Sequence, residues 1–262
     1  ERGDATIYIQ DNALLRVYGV DDSEGAMSIG RRGTAEATVY QTGGEVELYN
    51  NYFIAGRYDS SIGEYNISAG TLKTLGTFGN RRMHLAWDST SAQGTMNISG
   101  TAEVTLNADN ANASGNPGSG FLVGYNGTGT LTVADNAKLT IYGIEDSDAG
   151  LFVAYNNGTS TFTQTGGEVT VYDSRVRAGR SNSSHGTITV NGGTFTQALS
   201  GAHATLVNDI NTYLGWDSAS CTGNLNVGGT GVVTLGADLN AGGNGTSAVT
   251  VSGNGQLIVP GA

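Results

Sequence analysis

The 262 residues include 42 glycines, two prolines and one cysteine, with a formal net charge of −11 from 23 acidic and 12 basic side chains. A lone Cys221 excludes an internal disulfide, so order must come from burial and hydrogen bonding. The acidic balance disfavours nucleic acid and anionic membranes, whose phosphates need a concentrated basic face, and no apolar run reaches the roughly 18 residues needed to span a bilayer.

Along the chain, a short element of alternating apolar and polar residues begins at Ile7 and returns at Val39, Tyr65, Met96, Leu131, Phe162, Ile188, Leu225 and Val249. The interval averages about 30 residues. Within each unit a turn follows, such as Asp135-Asn-Ala or Thr165-Gly-Gly, and then a second element such as Leu139-Thr-Ile141, Val169-Thr-Val171 or Val233-Thr-Leu235. After a looser loop comes a third: Met27-Ser-Ile29, Phe53-Ile-Ala55, Phe121-Leu-Val123, Leu151-Phe-Val153, or Leu214. Period-two alternation is the signature of a strand with one buried face. The outward set is rich in Thr and the inward set in Val, Ile, Leu and Phe, both suited to a pleated surface. Glycine at this density breaks any helix longer than a turn or two.

The chain is also written twice. Leu85–Asp109 recurs as Leu214–Asp238, Gly43–Tyr49 as Gly166–Tyr172 and Asp11–Gly19 as Asp135–Gly143, at offsets of 129, 123 and 124. Repetition of this kind marks a stacked array in which each unit buries its apolar face against its neighbours. The predicted fold is all-β: a right-handed parallel β-helix (β-solenoid) with three strands per coil stacked into three sheets. It has about eight full coils plus a partial ninth, and a tandem duplication of a four-coil block. Residues 1–262 form one solenoid, with blocks 1–124 and 125–248 and a partial coil 249–262. The hand follows from the crossover preference of parallel strands, and stacking at ~4.8 Å gives a rod on the order of 40 Å long. The longest low-complexity stretch, Ala108–Gly120, reads as a loop bulging from the fourth coil.

The residue after the third strand's Gly or Ala forms a column: Arg31, Arg57, Trp87, Tyr125, Tyr155, Arg180, Trp216. Stacked at β spacing, it can make aromatic and cation–π contacts along the axis, or serve as a carbohydrate-binding or subunit-contact stripe. A second column, Tyr18, Tyr49, Tyr142 and Tyr172, ends the second strand. Trp87-Asp88-Ser89 and Trp216-Asp217-Ser218 read either as sugar platforms with an acidic partner or as a corner closed by an Asx-type turn; duplication favours the corner. The loops Asp21–Glu24 and Glu145–Asp148 read as solvated acidic loops. His84, His185 and His203 show no metal-ligand spacing, and Cys221 aligns with Ala92. The seven Asn-x-Ser/Thr sequences, at Asn66, Asn97, Asn112, Asn126, Asn157, Asn182 and Asn244, are attributed to composition. Gln41 and Gln164 break the inward apolar pattern, each either a buried amide with partners or a residue at the mouth of the Gly-Gly turn. No catalytic set, metal site or cofactor motif is evident, so the expectation is a non-enzyme without cofactors.

No polar cap is visible on the first or last coil. Ile7 and Ile9 at one end, and Val249, Val251, Leu257 and Val259 at the other, are read as subunit-end contacts. The Gly-Thr-Leu-Thr-Val and Leu-Thr-Ile-Tyr-Gly rhythm of Gly129–Gly143 resembles bacterial secreted and surface β-helix proteins, particularly autotransporter passenger domains with their associated β-strand repeats. The resemblance implies an extracellular or cell-surface location, of bacterial origin, and an adhesive or scaffolding role. The expected function is a structural protein that partners itself head to tail, as a filament or a matrix or surface scaffold, without nucleic acid or membrane insertion. Two alternatives stand beside it: a non-catalytic adhesin binding polysaccharide through Trp87, Tyr125, Tyr155 and Trp216, and a β-helix polysaccharide lyase or glycosidase using Asp88 or Asp217.

Overall fold

A computed structural model describes residues 3–19, 26–76, 82–108, 120–143, 149–200 and 210–260. Every regular element among them is a strand. The first winding is β1 (Ala5–Ile9), β2 (Leu14–Tyr18) and β3 (Ala26–Ile29). The second is β4 (Glu36–Tyr49) and β5 (Tyr52–Ala55), the third β6 (Ile62–Leu75) and β7 (Met83–Leu85). The fourth comprises β8 (Gln93–Ile98), β9 (Glu103–Leu106) and β10 (Gly120–Val123), the fifth β11 (Thr128–Val133), β12 (Lys138–Tyr142) and β13 (Gly150–Val153). Then come β14 (Thr159–Tyr172) and β15 (Arg175–Ala178), and β16 (His185–Ala198) and β17 (Thr212–Leu214). The last strands are β18 (Thr222–Val227), β19 (Val232–Thr234) and β20 (Leu239–Ala241), followed by β21 (Thr246–Val251) and β22 (Gln256–Ile258).

Each strand pairs in parallel with its counterpart one winding on, which makes the protein a parallel β-solenoid. The inward residues therefore stack in single file. Ile7 lies on Val39, Val39 on Tyr65, Tyr65 on Met96, and the file continues through Leu131, Phe162, Ile188 and Leu225 to Val249. These and the matching files of the other strands make one continuous apolar core. Burial is complete in the middle windings and falls away at the ends, where Ile7 is 46% and Val251 49% exposed.

The strands form two sheets instead of three. The first and second strands of a winding share one 14-stranded sheet, and the third strands make a separate 8-stranded sheet. The cause lies in the Gly-Gly steps expected to be turns. In β4 and β14 the chain passes through Gly43-Gly44 and Gly166-Gly167 without leaving the ladder, slipping register at that point. Gly44 and Gly167 have φ of 69° and 67°, and the next amides, Glu45 and Glu168, resume bonding to Ala13 and Ala137 of the winding before. The bend is a bulge inside a strand.

The buried glutamines settle both readings at once. Gln41 is fully buried; its amide nitrogen donates to the carbonyls of Gly44 and Thr71, and its Oε1 accepts from Tyr65 Oη at 2.6 Å. Gln164 donates in the same way to Gly166, Gly167 and Thr194. Each amide thus holds the bulge carbonyls that turn inward.

Between third and first strands the chain rounds a tighter corner. A Cβ on Gly94 would lie 2.2 Å from the Ala55 carbonyl oxygen and 2.5 Å from the Ala86 nitrogen, and one on Gly186 would meet Val153 and Gly179 equally closely. Glycine is required here by the approach of two backbones.

Candidate functional site

The third strands depart from simple alternation. Their inward residues, such as Phe53, Phe121 and Leu151, belong to the core, but the residues between them are buried too: Ile54, Leu122 and Phe152 are at most 1% exposed, and His84 is 1% exposed. A second layer covers this outer face, and the column that follows the third strand forms part of it.

Backbone bonds carry the ladder through that column, from Arg57 to Gly30, Trp87 to Gly56, Tyr155 to Gly124 and Arg180 to Ala154. The side chains then interlock along the axis. The Arg57 guanidinium lies 4.7 Å from the Trp87 ring, and Trp87 stacks on His84 at 4.4 Å. Tyr125 stacks on Tyr155 at 4.9 Å, and Arg180 caps Tyr155 at 4.2 Å. Trp216 packs on Tyr213 at 4.6 Å, and Arg177 lies over both Tyr213 and Phe152. Seen from the sequence, this column was a stripe; in the fold it is half-buried, Arg57 is only 4% exposed, and Arg31 alone among its members is exposed.

Asp88 and Asp217 do not close Asx-type turns as expected. Asp88 Oδ2 accepts from Arg57 Nε at 3.1 Å, and Asp217 Oδ2 accepts from Arg180 Nε at 3.1 Å, each bond reaching back one winding. The turn itself is made by the serine next door, whose Oγ accepts from the amide two residues on (Ser89 from Ser91, Ser218 from Ser220). The duplicated motif is a corner, as favoured, with the carboxylate engaged by a guanidinium.

His84, noted from the sequence only for its lack of metal-ligand spacing, belongs to this buried outer layer. Its ring is wholly buried between Trp87, Tyr52 and Tyr125, and neither nitrogen has a hydrogen-bond partner. Burial, reinforced by the positive charges of Arg82 and Arg57, holds its pKa well below the usual histidine value. Continuous apolar runs such as Phe53-Ile-Ala and Phe121-Leu-Val were the available signal for a strand covered on both faces.

Elsewhere the outward side chains form rows of their own kind. Tyr18 stacks on Tyr49 at 4.9 Å and Tyr142 on Tyr172 at 5.1 Å, but Leu75 and Ala198 follow in the ladder and end each stack after two rings. Arg16 Nε donates to Glu47 Oε2 at 2.6 Å, a bond that lowers the Glu47 pKa, and Lys73 pairs with Glu45. Asn97 donates to Asn66 at 2.8 Å and Asn156 to Asn126 at 2.8 Å. Cys221 is buried at the place Ala92 fills in the other copy, its Sγ donating to the Ser218 carbonyl.

Exposure of the core files rises in the first and last described windings. Ile7 in the first winding, and Val249, Val251 and Val259 in the last, are 38% exposed or more, whereas the inward residues of interior windings are sealed. Ile9 is 5% exposed and Leu257 packs partly against the core. Asp21–Glu24, Glu145–Asp148, His203, Asn112 and most of the loop 108–120 lie outside the described residues. Among the described residues, no cluster of three or more His, Cys, Asp or Glu side chains is arranged to hold a metal ion. No protein-family model, curated protein or solved structure matches the chain.

Proposed function

We propose that this protein is an extracellular structural rod that joins head to tail with further copies of itself, building a filament or surface scaffold. The observation that carries the reading is that the first and last windings belong to the same in-register inward files. Val249 and Val251 continue the same two inward files that begin at Ile7 and Ile9. A copy stacked below would set Ile7 under Val249 and Ile9 under Val251, with the ladder unbroken. Such a contact is heterologous and does not close, so it propagates. Each joint would also satisfy the free backbone groups of two edge strands.

The aromatic column supports a structural role. Its rings are stacked on one another and on guanidinium groups, and both copied Asp residues are taken up by arginines. A glycan platform or an acid–base pair needs those faces and lone pairs free. Electron microscopy of the purified chain across a range of concentrations tests the proposal. Strings of rods with the axial period of one chain are the expected result; isolated rods at tens of micromolar overturn it.

A further inference from the structure

The second strands carry an outward threonine row, Thr105, Thr140, Thr170, Thr196 and Thr234, flanked by Glu103, Lys138 and Glu168; the first strands of the later windings carry a broader threonine plane with no charged side chain in it. Thr130 and Thr132 lie beside Thr161 and Thr163, which lie beside Thr187 and Thr189, all in register. Thr95 and Asn97 extend the grid on one side, Asn224 and Asn226 on the other. Inward neighbours along each strand are buried, so these side chains all point out of the same sheet. Across the six windings from Gln93 to Thr250, no outward position of the first strand is Asp, Glu, Lys or Arg. That is notable in a chain of net charge −11, and the two windings before it carry Glu36 and Glu64 on this face.

We propose that this threonine plane binds the surface of ice. Parallel in-register strands place equivalent side chains ~4.8 Å apart across the sheet and roughly 6.7 Å apart along it. Six windings and three outward positions each give a plane of about 24 Å by about 14 Å. Threonine is β-branched, so its χ1 is stiff and the grid is ordered before contact. Each hydroxyl both donates and accepts, and its methyl limits competing hydration. Water held between such hydroxyls takes the repeat of the grid, and the oxygen rows of an ice face repeat at similar distances in two directions. A neutral lattice is matched by a neutral plane, where a charged side chain would keep its own hydration shell.

A polysaccharide is the other repeating ligand, but it calls for aromatic platforms, and the exposed rings on this face, Tyr8 and Tyr40, lie in the first two windings, away from the grid. The inference is independent of end-to-end joining, since the plane faces sideways.

Thermal hysteresis and inhibition of ice recrystallisation, measured on the full chain, test the proposal. A fluorescently labelled sample is also offered to a growing ice hemisphere. The expected results are concentration-dependent hysteresis and incorporation into the ice. Thr161→Lys, at the centre of the plane, should abolish nearly all of both. Thr170→Lys, on the neighbouring second-strand row among Glu168 and Lys138, should leave them unchanged. Both sites face solvent, and matching melting curves show that the variants fold. Exclusion of the native chain from ice overturns the proposal, as does full activity in Thr161→Lys, or retention on crystalline cellulose or chitin without hysteresis.

Discussion

A single file of side chains shows how the two copies solved one packing problem in two ways. In the earlier copy Val39 sits beside Tyr65; in the later one Phe162 sits beside Ile188, so the large residue has moved by one rung. The exchange has a polar consequence. Tyr65 Oη satisfies Gln41 Oε1, whereas Gln164 Oε1 is buried without a partner because Ile188 has no hydroxyl. Ile188→Tyr alone should overpack the rung against Phe162 and lose about 1–3 kcal/mol. Phe162→Val with Ile188→Tyr restores the rung volume and gains a hydrogen bond worth about 1 kcal/mol. Urea unfolding should rank the double variant at or above the native chain and well above the single variant. His84 gives a pH dependence of defined sign. Its folded pKa is depressed, so as pH falls below the ordinary value of 6.5 the unfolded chain takes up a proton that the folded chain refuses. Stability from this residue is whole above that pH and lost below it, by at most about 1.4 kcal/mol per pH unit. Melting temperatures between about pH 7.5 and 5.5 should fall on acidification, and His84→Tyr, which installs the residue found at Tyr213, should flatten that part of the slope.

At the level of the strand, the corner between third and first strands is the strictest element. Gly63, Gly94 and Gly129 share one inward file with Ser160, Gly186 and Gly223; the file takes a side chain at Ser160, but an added Cβ at Gly94 meets backbone, which cannot swing away as a flexible side chain does. The constraint is space: Gly94 is not among the residues with positive φ. Gly94→Val should therefore cost more than about 3 kcal/mol, at the severe end of overpacking, seen as a large drop in the urea midpoint. Thr95→Val, one residue on and facing outward, serves as the comparison and should shift that midpoint little.

For the whole molecule, stability is close to a sum over neighbouring windings, because each strand ladders only with the one before and the one after, and closer packing reaches no further than the corner two windings on. The end windings have one neighbour instead of two, and their exposed rungs follow from that geometry. Head-to-tail joining therefore makes a prediction that no symmetric association shares. Ile7→Lys blocks one end and Val251→Lys the other. Each variant alone should sediment as a single rod, and an equimolar mixture should form a dimer and nothing longer, through the one intact surface on each. Analytical ultracentrifugation distinguishes this from filaments of either variant alone, which would contradict the joint.

The stacked architecture was legible from residues alone. Alternation from Leu131 to Val133 and from Leu139 to Ile141, repeated at about 30-residue intervals, admits one arrangement of parallel strands with those side chains inside. Local rules of this kind survive folding because each rung needs only its own winding and the next. Three things were decided by contacts between windings. Two strand rows became one sheet, since Gly44 and Gly167 let the ladder continue where a turn was expected. The Trp87 column folded over the outer face of the third strands, since Ile54, His84 and Phe152 there needed cover. And Asp88 and Asp217 found arginines 31 and 37 residues earlier, a choice of partner that depends on the stacking register and is invisible to any rule about neighbours in sequence.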